Sequence, residues 1–303
     1  MNNLNEMQNL EAEISHTTTV KRRSRTTEIV RSFKKNKLAL VGLGIILILC
    51  ILALSAGLFY DYELDVIEPN YSQILQAPSA EHICGTDELG RDILARLIYG
   101  SRISLMVGFI AVTISLAIGA PLGAIAGFYG KRVGEVIMRC TDVLDALPSI
   151  LLAITIVTAL GQTMLNMLIA VAIAAVPGYI RIVRSSVLRI KNEEYVEAAR
   201  AIGSRDWEII AFHILPNCIG PILVHATMKV ASTILSVASL CFLGLGIAPP
   251  TPEWGLMLSI GRNYMRDAWW MTLFPGICIM LTVMGFNLVG DGLRDAVDPK
   301  MKR

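Results

Sequence analysis

The amino-acid sequence predicts an all-α membrane protein with six transmembrane helices and both termini in the cytosol (N-in/C-in). Three observations carry this expectation. The 303-residue chain is 54% hydrophobic and only 17% charged, with a mean hydropathy of +0.57, too apolar for an ordinary soluble domain. Six apolar stretches reach the ~20 residues needed to cross ~30 Å of hydrocarbon. Twenty basic residues fall in segments that alternate to one side, against five on the other, a bias that assigns the basic side to the cytosol.

Residues 1–37 form a cytosolic N-terminal segment. Residues 1–20 are polar and without period, as in disordered chains. Lys21, Arg22, Arg23, Arg25, Arg31, Lys34, Lys35 and Lys37 follow, interleaved with Ile29, Val30 and Phe33 at helical spacing. That pattern predicts an amphipathic helix at the membrane surface, or a simple positive-inside anchor. Residues 38–59 are uncharged and read as the first span. A cleaved signal peptide is the competing reading, but the apolar run exceeds the usual ~7–15 residues.

Residues 60–101 are an extracytoplasmic loop containing GTDELGRD, Gly85 to Asp92. Thr86 or Asp87 is positioned to cap an interfacial helix with Ile93, Leu94, Leu97 and Ile98 on its apolar face and an Asp87–Arg91 ion pair at i,i+4. A five-helix core then occupies residues 102–291. Its first member, residues 103–129, repeats small residues at Gly108, Ala111, Ser115, Gly119, Gly123 and Gly127, a pattern that permits close helix packing in lipid. The next, residues 133–160, carries Arg139, Asp142, Asp145 and Pro148. Ionisable groups within a span mark either a structural ion-pair cluster, with Arg139 pairing Asp142, or a proton or ion relay.

Residues 164–183 are broken by Pro177 and Gly178, which predict a kink, with the helix running on past Arg181, Arg184 and Arg189 into water. Residues 219–247 form the fifth span, where His225 and Lys229 read as interfacial residues near its start. Ala248 to Trp270 opens with a proline-rich PPTPEWG, Pro249 to Gly255, and ends at the aromatic pair Trp269 and Trp270. Residues 271–289 make the sixth span, and 292–303 a polar cytosolic tail.

Between the fourth and fifth spans lies a polar island, Glu193 to Asn217. Val196, Ala199 and Ile202 recur at helical spacing behind Glu193, Glu194 and Glu197. Gly203 stops that helix. Ser204 is placed to cap a second, with Trp207, Ile210, Ala211 and Ile214 along one face, until Pro216 ends it. The island therefore reads as helix, glycine corner, helix, in the cytosol.

Catalytic signatures are missing. The chain has no HExxH and no GxSxG, and its one Gly-Lys pair, Gly130-Lys131, has Ile125 where a Walker A loop needs glycine. Four scattered histidines make no metal site, and six cysteines without a CxxC pair make no disulfide framework. No cofactor and no nucleic-acid partner are expected; the one non-protein partner is the lipid bilayer. Energy must come from a partner or an ion gradient.

Glu197-Ala198-Ala199, three residues, Gly203, then nine residues before His213-Ile214-Leu215-Pro216 resembles the EAA loop of binding-protein-dependent ABC importer permeases. His213 stands where the general pattern has an apolar residue, and HILPN looks like the peptide-importer branch. GTDELGRD, PPTPEWG and GDGLRDAVDP, Gly290 to Pro299, are similar to the C-type permease subunit of dipeptide and oligopeptide importers. The resemblance implies the type I ABC importer permease fold with a cytosolic coupling-helix loop at 193–217, and no catalytic residue in this chain. It also implies a homologous second permease, two cytosolic ATPase subunits and an extracytoplasmic substrate-binding protein. On the same resemblance Glu197, Ala198, Ala199, Gly203, Arg205, Asp206, His213, Leu215 and Pro216 are the ATPase-coupling residues. Nickel chelates, glutathione or other small solutes are alternative cargoes; a gradient-driven transporter or channel, or a membrane scaffold, are the alternatives outside this class.

Overall fold

The computed structural model describes residues 25–297, so the disorder expected for residues 1–20 and the end of the tail lie outside the described residues. Ten helices are numbered in chain order: α1 Arg25–Lys35, α2 Lys37–Phe59, α3 Ile93–Tyr129, α4 Lys131–Asp145, α5 Ser149–Leu160, α6 Met164–Ile190 and α7 Glu194–Ala201. The last three are α8 Asp206–Phe242, α9 Trp254–Gly261 and α10 Trp270–Val297. Five of them are long and apolar enough to cross a membrane, and the α4–α5 pair makes a sixth span if counted as one.

The small-residue stripe of α3 is the seam of the bundle. Gly119, Gly123 and Gly127 lie against α6, where a Cβ on Gly123 would sit 2.6 Å from the Ile180 carbonyl oxygen. Only glycine permits that backbone approach. Ser115 seals the same seam by donating to the Ala172 carbonyl at 2.9 Å. The helix α10 packs against α2 on one side and α8 on the other.

Four expectations change. The third span is not one straight helix: α4 and α5 meet at 82°, because Pro148 cannot supply the N–H that would continue α4. Its aspartates pair not with Arg139 but with Arg181 of α6, Asp142 at 3.0 Å and Asp145 at 2.8 Å. The interfacial helix is the first part of α3 itself, and Asp92, not Thr86 or Asp87, caps it by accepting from the Ala95 N–H at 2.9 Å. The polar tail assigned from residue 292 continues α10 up to Val297, and the Asn36 side chain donates to Asp295 at 3.2 Å.

The amphipathic helix also acquires a protein partner. Phe33 of α1 packs over Gly292 of α10, leaving Ile29 and Phe33 half-buried and Val30 exposed. On α6, the helix continues through Pro177 to Ile190 without leaving α geometry.

At the opposite end, GTDELGRD and PPTPEWG close on one another as a cap. Asp87 holds Arg91 at 2.7 Å and Arg96 at 3.4 Å. Arg96, fully buried, donates to the carbonyls of Val66 at 2.6 Å and Pro250 at 3.4 Å. The Trp254 indole N–H donates to the Leu97 carbonyl at 3.0 Å, and that of Trp270 to the Thr86 carbonyl at 3.1 Å. Glu253, also buried, caps α9 and takes a bond from Ser104 at 3.2 Å. These polar groups are buried because each has found a partner.

Candidate functional site: the 193–217 loop

The loop between α6 and α8 is built on one buried face. Val196 and Ala199 of α7 join Ile209, Ile214 and Cys218 of α8, Val183 and Val187 of α6, and Phe128 of α3 in a common core. Arg200 stacks over the Phe128 ring at 5.1 Å, and Lys191 donates to the Gly127 carbonyl at 3.3 Å. The loop is thus fastened to the ends of two helices that run the depth of the bundle.

Gly203 makes the corner with φ +85. The Ser204 N–H donates to the Ala199 carbonyl at 3.1 Å and the Gly203 N–H to the Arg200 carbonyl at 3.0 Å, the paired bonds of a Schellman ending that satisfies the last carbonyls of α7. A Cβ at Gly203 would meet nothing within 4 Å. The residue is glycine for its backbone conformation, not for want of space.

Arg205, not Ser204, is the N-cap of α8, and its N–H is taken by the Glu208 carboxylate at 3.0 Å. Pro216 does not end that helix. A π turn over Ile209–Ile214 precedes it, after which α geometry resumes from Leu215 to Phe242. The wider turn carries the chain past a residue with no N–H and a bulky ring.

The residues expected to couple to an ATPase separate by environment. Glu197, Ala198, Gly203, Arg205, Asp206 and Pro216 are exposed, Ala199 is buried, and His213 and Leu215 are half-buried. Among the described residues the Glu197 carboxylate has no ion pair or hydrogen bond.

Two expected packing positions turn outward instead. Ile202 is 83% exposed and Trp207 56%. Phe212, 66% exposed, packs edge-on against Trp207 at 5.9 Å. An α-helix would set residues five apart about 140° from each other; the π turn brings them onto one side. Ile202, Trp207 and Phe212 are exposed apolar residues of a segment that also exposes Glu197, Arg205 and Asp206, the composition of a protein-docking patch.

His225 and Lys229, read as interfacial, both lie against α6. His225 packs edge-on against the buried Tyr179 ring at 4.9 Å, and Lys229 lies beside Gly178 of α6, well inside α8.

Comparison with known proteins agrees with this architecture. Residues 119–303 match the family described as the binding-protein-dependent transport system inner membrane component. Residues 24–78 match the N-terminal TM domain of oligopeptide transport permease C. The chain is 52% identical over 275 residues to the dipeptide transport system permease protein DppC of Alkalihalophilus pseudofirmus, covering 91% of this chain and 90% of that one. It is 46% identical to the di/tripeptide transport system permease protein DppC of Pseudomonas aeruginosa, over 91% of this chain and 92% of the relative. With the glutathione transport system permease protein GsiD of Pectobacterium atrosepticum the identity is 42%, over 91% of each chain. Among solved structures, an inward-facing MetNI methionine ABC transporter chain superposes with a TM-score of 0.57 at 18% identity, covering 68% of this chain and 98% of that chain. That likeness is one of fold.

Proposed function

The chain belongs to the binding-protein-dependent transport system inner membrane component family, and from that membership we propose that it is the non-catalytic membrane subunit of an ATP-driven peptide importer. It lies in a bacterial or archaeal cytoplasmic membrane as a multi-pass protein. It pairs with a homologous second permease, stands on two cytosolic ATPase subunits, and receives cargo from an extracytoplasmic binding protein.

The observation that carries this reading is the exposed Ile202, Trp207 and Phe212 patch, set on a corner between two helices that continue into the membrane. An ATPase groove that takes the patch gains a handle on both. Because α8 continues from Asp206 to Phe242 through the π turn at Ile209–Ile214, a rotation at the tip is passed on to the span. Val196 and Ala199 carry the same motion into α3 and α6 through the core they share. ATP-driven closure of the two ATPases swings the paired permeases outward-facing, and hydrolysis returns them.

Relatives named for dipeptide and di/tripeptide transport support a dipeptide cargo. Glutathione, itself a modified tripeptide, is the second reading, supported by relatives named for its transport. Co-purification of the intact complex followed by mass spectrometry of the ligand on its binding subunit tests both. Short peptides bound there, with two ATPase subunits per permease pair, are the expected result. Gradient-driven flux by this chain alone in liposomes would overturn the importer reading, and a bound ligand that is no peptide would overturn the cargo.

A further inference from the structure

The side of α8 that faces α5 and α6 across a small cavity bears polar residues that the coupling mechanism does not use. Val230, Ala231, Ile234, Val237 and Ala238 are buried on the inner side. Lys229, Ser232, Ser236 and Ser239 recur at helical spacing and stay partly or fully exposed. Lys229 lies about 35 Å along the helix from Asp206 at ~1.5 Å per residue. Its Cε lies 3.4 Å from where a Cβ on Gly178 would sit, about 4.5 Å along α6 from Arg181.

An ammonium packed between helices of a membrane bundle is costly unless it is paired or faces water. Among the described residues Lys229 has no ion pair and no hydrogen-bond acceptor for its ammonium. The aspartates at the neighbouring bend, Asp142 and Asp145, are taken by Arg181. Lys229 instead lines a cavity of about 100 Å³ together with Ser149, Ala153, Val171, Ser232 and Ser236. Lipid would not accommodate the unpaired ammonium, and the cavity that Lys229 lines with three serines is its route to water.

The hydroxyls have a definite polarity. Ser232 donates to the Lys229 carbonyl at 3.1 Å, Ser236 to the Ser232 carbonyl at 2.9 Å and Ser239 to the Leu235 carbonyl at 2.7 Å. With their protons committed to the helix backbone, the oxygens are left as acceptors. The stripe thus presents three unmatched N–H donors at Lys229 and only acceptors from there toward the extracytoplasmic end.

We propose that this stripe is a cargo-contacting track, in which Lys229 holds the carboxylate of a peptide in transit while the serine oxygens take its amide and ammonium N–H groups. The assignment rests on the peptide-importer reading. A cavity of about 100 Å³ is well below the ~300–1,000 Å³ of sites that enclose a whole small molecule, and suits one end of the cargo. An extended dipeptide spans about 7 Å, so with its carboxylate at Lys229 its ammonium falls between Ser232 and Ser236, about 4.5 and 10 Å further along the helix.

The test is a charge series, Lys229→Arg, Lys229→Gln and Lys229→Glu, in the complete reconstituted importer. Uptake of a labelled dipeptide is read beside ATPase stimulation by the loaded binding protein. Expected are uptake within threefold of the unaltered complex for Lys229→Arg, at least a tenfold fall for Lys229→Gln, and near-complete loss for Lys229→Glu. ATPase stimulation should stay within twofold throughout. Undiminished uptake by Lys229→Gln would overturn the assignment, as would an equal defect in Lys229→Arg and Lys229→Gln. Loss of the second permease from the Lys229→Gln complex would overturn it in favour of an ion pair between permeases. Failure of the unaltered complex to carry any dipeptide would overturn the cargo reading itself, and is distinguished by appearing before any substitution is made.

Discussion

The N–H of Ser204 donates to the carbonyl of Ala199 at 3.1 Å across Gly203, and that bond fixes the angle at which α7 and α8 leave the corner. Any L-residue at Gly203 must adopt φ +85, at a cost of about 1–2 kcal/mol, or abandon the Schellman ending. Gly203→Trp is therefore expected to insert in the membrane normally but to uncouple ATP hydrolysis from uptake, while Gly203→Asn retains most coupling. Uptake per ATP hydrolysed in the reconstituted complex checks this; normal coupling in Gly203→Trp would remove the corner from the mechanism.

Trp207 and Phe212 touch each other and stand far out of the core. Trp207→Ala should leave the fold unchanged, since little buried area is lost. Association with the ATPase subunits should weaken by about 2 kcal/mol or more, roughly 30-fold, as for a central aromatic anchor. Titration of detergent-solubilised permease pairs with ATPase subunits measures it.

Cys84 lies in the extracytoplasmic segment but is only 6% exposed, and burial, with the nearby Asp92 carboxylate, pushes its thiol up to about 11. At pH 7 roughly one thiol in 10⁴ is ionised on that value, and the thiolate is the reactive form. A membrane-impermeant maleimide should thus label Cys84 very slowly from outside. The rate should rise nearly tenfold per pH unit toward about pH 11, and sharply when the cap is unfolded. Rapid labelling at neutral pH would mean that the cap is open in the membrane. Sidedness is better tested by a cysteine placed at the exposed Ile83.

Arg96 ties together Asp87, Val66 and Pro250, elements distant in sequence, from a fully buried position. Arg96→Met removes the guanidinium while leaving two carbonyls and a carboxylate short of donors, a change that costs about 3–5 kcal/mol when the pair is buried. Proteolysis within residues 60–92 should accelerate accordingly. Trp207→Ala, at the other end of the molecule, should not affect it.

How much was legible in the sequence depends on the range of the forces involved. The Gly203 corner was readable because a glycine at the end of an acidic-led helix has a local meaning, and the small-residue stripe of α3 because its period is that of a single helix. Ile202 departs from the α period because α7 ends at Ala201 and the chain turns at Gly203, and Trp207 and Phe212 share a side because the π turn at Ile209–Ile214 changes the register between them. Arg139 was paired with Asp142 on sequence nearness, but Arg181, 39 residues away from Asp142, is brought alongside by the 82° bend.

Hydrophobic length alone determines that this chain crosses the membrane, and the placement of lysine and arginine assigns its loop to the cytosol as an expectation. Those are free energies of transfer, summed residue by residue along the chain. Which side chains meet was settled by packing: Arg96 with Pro250, Arg181 with Asp145, Trp207 with Phe212, and Lys229 with no counter-ion among the described residues. Each of these depends on how helices bend and lean on one another, and a one-dimensional pattern holds no record of that.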